Sequence, residues 1–430
     1  MTRRFVAVPW LLVGLSVSMA AAQSQPSTPP APQGAASGAV VAPVAEPADP
    51  VRALVGRLDL EQYKATIKGL TQFGDRRQGT DRNRAAVDWI EAQLKSYGCA
   101  NAERITYDYQ PPQRGAGSGA SATGRGAAGA GGDTPSAATQ GRGGRGGNPP
   151  KGNRAATGVN NDPMKQPDVK VRELDLPPSV PGARQEVYCT KTGTTHPEEM
   201  YIIGGHMDGI GYAEAANDNG SGTAIVMELA RIFSAPNVQT DRSIRFVLWN
   251  NEETGLNGAR AYVEQRRELQ GKENPPGSGK YPEPKWLGMI QHDMMLFDHG
   301  MPRADGTLNP EQRAEADVNV EFAGTAKMAS EAQALAWLLR AANDRYATDY
   351  PVAVGNRMSN TDSAAFQDFT AAVSLREAER LSQVGSGWDP HWHQPTDLFA
   401  NFTDRDFRLG LNAAQTTLAA VAQLAGATIK

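Results

Sequence analysis

Cysteine is almost missing from this chain: only Cys99 and Cys189 occur among 430 residues. At most one disulfide can form, so stability has to come from a buried apolar core rather than a covalent framework. After residue 22 no run reaches about 18 consecutive apolar residues, which leaves no helical membrane span. Neither sign of charge dominates. Lys and Arg number 43 against 47 Asp and Glu, a net charge of −4, and nothing in that balance draws the chain to nucleic acid or an anionic membrane.

Aromatic residues are lacking from two long stretches. Residues 23–49 are mostly Ala, Pro, Ser and Gly, a composition that buries too little surface to offset chain entropy, and they read as a disordered tether. Residues 111–166 are rich in Gly, Ala and Ser and contain Gly141-Arg142-Gly143-Gly144-Arg145-Gly146-Gly147. Without interleaved aromatics to stack on bases, this basic stretch lacks the means to hold single-stranded RNA. It reads as a disordered, surface or polyanion-facing insertion.

The chain begins with Arg3 and Arg4, the apolar residues 5–17 and then Ala20-Ala21-Ala22, the three parts of a secretory signal peptide over residues 1–22. The mature protein is therefore expected to be exported, to the periplasm or beyond the cell. Residues 50–430 are enough for one large domain with a well-buried core. Helical spacing runs through residues 50–98, broken by a polar loop at 73–81, and returns at 330–346 and 404–424. Strand patterns occur at 104–109, 185–189, 199–203, 243–250, 286–292, 318–322, 351–354 and 371–375. Such alternation implies an α/β fold, a mixed, mainly parallel sheet between two helix layers. If 104–109 and 185–189 pair as antiparallel strands, Cys99 and Cys189 come to one end of the pair and can be bridged in an oxidising compartment. Two separate buried thiols are the alternative.

Candidate chemistry gathers at strand ends. Residues 199–203 run into Gly204-Gly205-His206-Met207-Asp208, and the crevice beyond strand ends is where open α/β sheets place ligands. His206 and Asp208 are two apart and leave an extended segment on one face, so the carboxylate can fix the imidazole tautomer a metal needs. Asp218, in Asn217-Asp218-Asn219-Gly220-Ser221-Gly222, opens a helix whose apolar face is Ile225, Val226, Leu229, Ala230 and Phe233. The next strand runs into Glu252-Glu253, and adjacent glutamates at a strand end point to opposite sides. A third strand ends at Asp293, and the last motif is Trp388-Asp389-Pro390-His391-Trp392-His393-Gln394-Pro395-Thr396-Asp397.

Taken in order, His206-x-Asp208, Asp218, Glu252-Glu253, Asp293 and His393-x-Pro-x-Asp397 resemble the di-zinc exopeptidases of peptidase family 28, the group of secreted bacterial leucyl aminopeptidases. The resemblance spans residues 75–425 apart from the Gly-rich insertion. It implies the zinc-exopeptidase, phosphorylase/hydrolase-like architecture and two Zn²⁺ per chain. It further implies that Asp218 bridges the two ions, with His206 and Asp293 on one and Glu253 and His393 on the other. Glu252 is then the general base, Asp208 the partner of His206, and the Asp218–Asn219 peptide cis. Two divalent ions set against three carboxylates and a hydroxide close near neutrality, and oxygen and imidazole donors suit zinc. His391 competes with His393 as ligand, but His393 fits the family spacing. The remaining histidines, His196, His292 and His299, read as ordinary core or surface residues.

One departure stands out. The family's Ser-Asp-His-x-x-Phe appears here as Thr361-Asp362-Ser363-Ala364-Ala365-Phe366, and the following residues 375–381 are more charged than a leucine-selective pocket suggests. The expected function is a metalloaminopeptidase acting on peptides, with no nucleic-acid partner. The alternatives are a one-zinc glutaminyl cyclase, a carboxypeptidase relative using Arg376 or Arg380 for a terminal carboxylate, and a non-catalytic binding module on the same fold.

Overall fold

A computed structural model describes residues 49–111, 159–297, 318–356, 358, 360–377, 389 and 391–430. The expected signal peptide, the tether to residue 48, residues 112–158 of the insertion, His299, Arg380, Trp388 and Pro390 lie outside the described residues.

The helices are α1 (Pro50–Val55), α2 (Leu60–Thr71), α3 (Asp81–Ser96), α4 (Val169–Asp175), α5 (Gly222–Phe233), α6 (Asn257–Arg266), α7 (Ala329–Tyr346) and α8 (Asp404–Leu424). The strands are β1 (Glu103–Tyr109), β2 (Gly182–Lys191), β3 (His196–His206), β4 (Val238–Gln239), β5 (Arg242–Trp249), β6 (Lys285–His292), β7 (Val318–Phe322), β8 (Val352–Gly355), β9 (Ala372–Glu377) and β10 (Thr428–Ile429). Helix starts follow side-chain chemistry. Asp59 accepts the Gln62 N–H at 2.9 Å and Thr80 the Asn83 N–H at 3.2 Å, while Thr403 and Asp406 form a reciprocal box at the head of α8. Each such cap is worth about 1 kcal/mol.

Eight strands form one sheet in the order β1-β2-β5-β3-β6-β9-β7-β8. The central four, β5, β3, β6 and β9, are mutually parallel, while β1, β2 and β7 add antiparallel pairings. β4 and β10 make a separate antiparallel ribbon. Strand residues alternate between two apolar layers as the two-residue period requires. Ile244, Phe246 and Leu248 of β5 belong to the core on the α5 side of the sheet, which α2, α7 and α8 also line, whereas Val247 and Trp249 belong to the core on the other side with Tyr262 of α6 and Phe366. The expected three-layer α/β/α arrangement is therefore the observed one. α5 is buried almost all round, as a helix lying between the sheet and other helices has to be.

β1 pairs with β2 in the antiparallel register that sets Glu103 against Tyr188, and Cys99 is bridged to Cys189 with their Cα atoms 6.0 Å apart. The bond ties the connection between α3 and β1 to an inner strand. Two parts depart from expectation. α4 was not legible as a helix, and residues 159–166, assigned to the disordered insertion, are ordered. They include a short 3-10 turn at Pro163–Lys165, and Asn160 and Gln166 are buried. Their hydrogen bonds to distant loops supply the order that their composition does not.

The bridge closes a loop with a sequence separation of 90, and losing a native disulfide costs about 2 to 5 kcal/mol. Chemical denaturation of the double variant Cys99→Ala/Cys189→Ala is expected to show a loss in that range. An unchanged midpoint would mean that the bridge constrains nothing.

Candidate metal and catalytic site

β3 sits with β5 on one side and β6 on the other. After β3 the chain adds β5 on one side and then crosses to add β6 on the other, and this reversal opens a crevice beyond the carboxyl ends of these strands. His206 is the last residue of β3, Asp293 follows β6 directly, and Arg376 lies on β9. A Cβ at Gly205 would stand 3.0 Å from the Gly222 carbonyl carbon and oxygen, so the glycine is what lets α5 begin against the strand.

Asp218 does not open a helix. Ala216–Ser221 form one wide turn ahead of α5, with non-helical backbone at Asp218 (φ −102°, ψ 93°) and Asn219 (φ −129°, ψ 48°), and the peptide bond between them is cis. Side-chain hydrogen bonds hold this turn. The Asp397 carboxylate accepts the Asn217 N–H at 2.8 Å and the Asp218 N–H at 3.0 Å. The Asn217 amide donates to Glu377 at 3.1 Å and Asp389 at 2.7 Å.

Held this way, Asp218 places its two oxygens toward two histidines. Oδ1 lies 3.4 Å from His206 Nε2 and Oδ2 lies 3.0 Å from His393 Nε2. Each histidine has a further carboxylate, Asp293 Oδ1 at 3.3 Å from His206 and Glu253 Oε2 at 2.9 Å from His393. These residues and Glu252 line one cavity with Met294, Asn360, Arg376 and Trp392. Donor atoms of His206, Asp218 and Glu253 lie within 4.8 Å of one another, as do those of His206, Glu252 and Asp293.

Two expectations need correction here. Glu252 and Glu253 do not point to opposite sides: β5 ends at Trp249, and a turn through Asn251 at φ 65° brings both carboxylates to the cavity. Asp208 orients His206 through its main chain, since His206 Nδ1 donates to the Asp208 carbonyl at 3.0 Å while the carboxylate stands at 3.8 Å. That carboxylate instead accepts the Glu252 N–H at 3.1 Å. His391 turns away from the cavity, its Nδ1 at 2.9 Å from Thr396 Oγ1 and its ring against Phe402. His292 is a core residue between the Gly204 carbonyl and Thr417, and burial lowers its imidazole to about 4.

The cavity is rich in opposed charge. Burial works against charge on both ligand-side histidines, but facing carboxylates outweigh it: Glu252, Asp218 and Asp293 for His206, and Glu253 and Asp218 for His393. Both imidazoles are held well above their usual range. Burial pushes Glu253 up to about 7 and holds Glu252 well above the usual carboxylate range. Arg376, 3.0 Å from Asp293 Oδ2, outweighs burial and keeps Asp293 ionised. In the forms that bind metal, with neutral imidazoles and ionised carboxylates, four carboxylates against one guanidinium leave negative charge for cations to neutralise. Glu253 Oε1 is buried with no hydrogen-bond partner among the described residues. This donor set fits divalent first-row metal ions.

The sequence model of peptidase family M28 matches residues 186–416, from β2 into α8. The chain belongs to peptidase family M28. Among relatives, it is 39% identical over 75 residues to aminopeptidase YwaD of Bacillus subtilis and 40% identical over 83 residues to the probable lipoprotein aminopeptidase LpqL of Mycobacterium tuberculosis. These matches cover 17% and 19% of this chain and only 16% of either relative's length. Among solved structures, BSAP, a zinc aminopeptidase from Bacillus subtilis, superposes with a TM-score of 0.54 at 16% identity, covering 85% of this chain and 95% of that one. At that identity the likeness shows a shared fold.

Several supports of the M28 site were not legible beforehand. Arg76, fully buried, donates to the carbonyls of Met207 at 2.7 Å, Glu214 at 2.8 Å and Ala215 at 2.8 Å, bracing the loop between His206 and Asp218. Its only signal was a dense cluster of charges in a loop between two apolar helices.

Asp397→Ala is expected to leave two buried N–H groups without their acceptor, each costing about 1 to 3 kcal/mol. Denaturant unfolding of the metal-free protein checks this. A change well below 1 kcal/mol would show that the turn holds Asp218 without Asp397.

Proposed function

We propose that this chain is an exported metalloaminopeptidase that removes N-terminal residues from peptides at a centre of two zinc ions. The observation that carries this reading is the divided surroundings of Asp218, whose oxygens face His206 at 3.4 Å and His393 at 3.0 Å, each paired with its own second carboxylate. Two half-sites sharing one carboxylate suit two neighbouring divalent ions. The aminopeptidase names of the relatives, and zinc in that of BSAP, support the same assignment. The signal-peptide pattern of residues 1–22 and the Cys99–Cys189 bridge support export.

In this reading His206 and Asp293 would hold one ion and His393 and Glu253 the other, with Asp218 available to both. When bound, zinc supplies Lewis-acid polarisation of the peptide carbonyl and lowers the pKa of the attacking water. The protein supplies the rest. Donation from His206 Nδ1 to the Asp208 carbonyl leaves the Nε2 lone pair facing the centre. The Asp208 carboxylate on the Glu252 N–H holds the start of the Glu252-Glu253 turn. Glu252, half-buried at the cavity wall, has a carboxyl raised by burial and by neighbouring carboxylates, which makes it a stronger proton acceptor than a free glutamate. It takes a proton from water as the oxygen adds to the carbonyl carbon, and returns it to the departing amine as the C–N bond breaks.

Glu252→Gln keeps the size and loses the base. It is expected to lower kcat on aminoacyl p-nitroanilides by about 10² to 10⁴ while zinc content stays at the wild-type level. Full activity in that variant contradicts the assigned role.

A further inference from the structure

The two histidines of the centre are held in different ways. His206 is fixed through its ring by the bond from Nδ1 to the Asp208 carbonyl. His393 Nδ1 is buried and has no hydrogen-bond partner among the described residues. Its ring is stacked on Trp392, with centroids 4.1 Å apart and planes 27° apart. A ring not tied at its second nitrogen depends on its backbone and stacking neighbour for its aim. That backbone is in the left-handed region, at φ 55°, which an L-residue keeps only where its surroundings impose it.

The surroundings that impose it come from the far end of the insertion. The Asn160 N–H donates to the His393 carbonyl at 3.0 Å, and the Asn160 side-chain amide donates to the Gly211 carbonyl at 3.0 Å. The Gln166 amide donates to the Tyr212 carbonyl and the Pro395 carbonyl, each at 2.8 Å. Both side chains are buried, Gln166 completely. They staple the loop after His206 to the loop that carries His393. The fit is close: a Cβ at Gly211, itself at φ 104°, would stand 2.7 Å from the His393 carbonyl carbon and oxygen.

We propose that residues 159–166 are a positioning segment for His393, which sets the metal affinity of the Glu253–His393 half of the centre and leaves the His206–Asp293 half to its own ring hydrogen bond. The proposal rests on the two-ion reading above. It gives the ordered end of the insertion a task that its Gly-rich composition conceals. It also makes the two half-sites unequal in their dependence on this segment. Asn160 and Gln166 touch main-chain carbonyls of the two loops and act through His393.

The test removes the staples singly in the full-length, zinc-loaded protein and reads zinc per chain by elemental mass spectrometry over a graded series of chelator concentrations. Asn160→Ala keeps the main-chain bond to the His393 carbonyl and removes the side-chain staple to Gly211, while Gln166→Ala removes those to Tyr212 and Pro395; each is expected to release one ion at about tenfold lower chelator, with the second released at the wild-type concentration. Adding Asn160→Ala to Glu253→Ala should leave the release of the remaining ion unchanged. Adding it to Asp293→Ala should weaken the remaining ion about tenfold. Unaltered release in both single variants, or equal weakening of both ions, overturns the proposal, the second outcome being that of a merely structural role. A wild-type protein that holds no zinc at all fails at the earlier step and removes the two-ion reading itself, and this proposal with it.

Discussion

The Asp397 carboxylate, buried beneath the Asn217–Asp218 turn, accepts two successive main-chain N–H groups. Those groups would otherwise head a helix. With both N–H groups bound, Asp218 is held in a non-helical conformation in which its oxygens separate toward His206 and His393. The arrangement is electrostatically demanding. Burial and the neighbouring Asp389 raise the Asp397 carboxyl well above its usual range, and Glu377 is raised in the same way. Asn217 relieves part of this by donating to Glu377 and Asp389 together. A turn built on buried carboxylates is a poor device for stability alone. Its use is to aim one further carboxylate with little freedom.

The sheet supplies the other coordinates. In the parallel register Gly205 pairs with Leu248 and with His292, and His206 pairs with Trp249, so β3, β5 and β6 end level. Side chains one to four residues beyond level strand ends converge without long loops, which brings Glu252, Glu253 and Asp293 to His206. Rigid strands fix such positions more closely than loops can. His393 is the exception, since it lies on a loop. It is steadied by Trp392 stacking and by the backbone bond from Asn160.

Much of this was legible in the sequence because burial leaves a periodic trace. The apolar runs of β5 and β6 mark inner parallel strands, and the residues that close them are the ones found at the cavity. What was not legible depends on which partner wins a hydrogen bond. Asp218 sits before a good helical pattern and looks like its start; Asp397, 179 residues away, decides otherwise. Asp208 stands at the right spacing to orient His206 by its carboxylate, yet the main-chain carbonyl does so. Glu252 and Glu253 leave the strand period because β5 stops at Trp249 and Asn251 takes φ 65°. Asn160 and Gln166 lie in a biased segment whose composition signals disorder, and their order comes from carbonyls of remote loops. Composition reports what a segment can bury by itself and not what a neighbouring loop offers it.

The central claim is that Asp218 joins two metal half-sites. Anomalous diffraction at the zinc edge, on crystals of the native protein grown without chelator, tests it most directly. The account expects two peaks, one beside His206 and Asp293 and one beside His393 and Glu253, with a different oxygen of Asp218 directed at each. A single peak, or none beside His393 in zinc-saturated crystals, would contradict it.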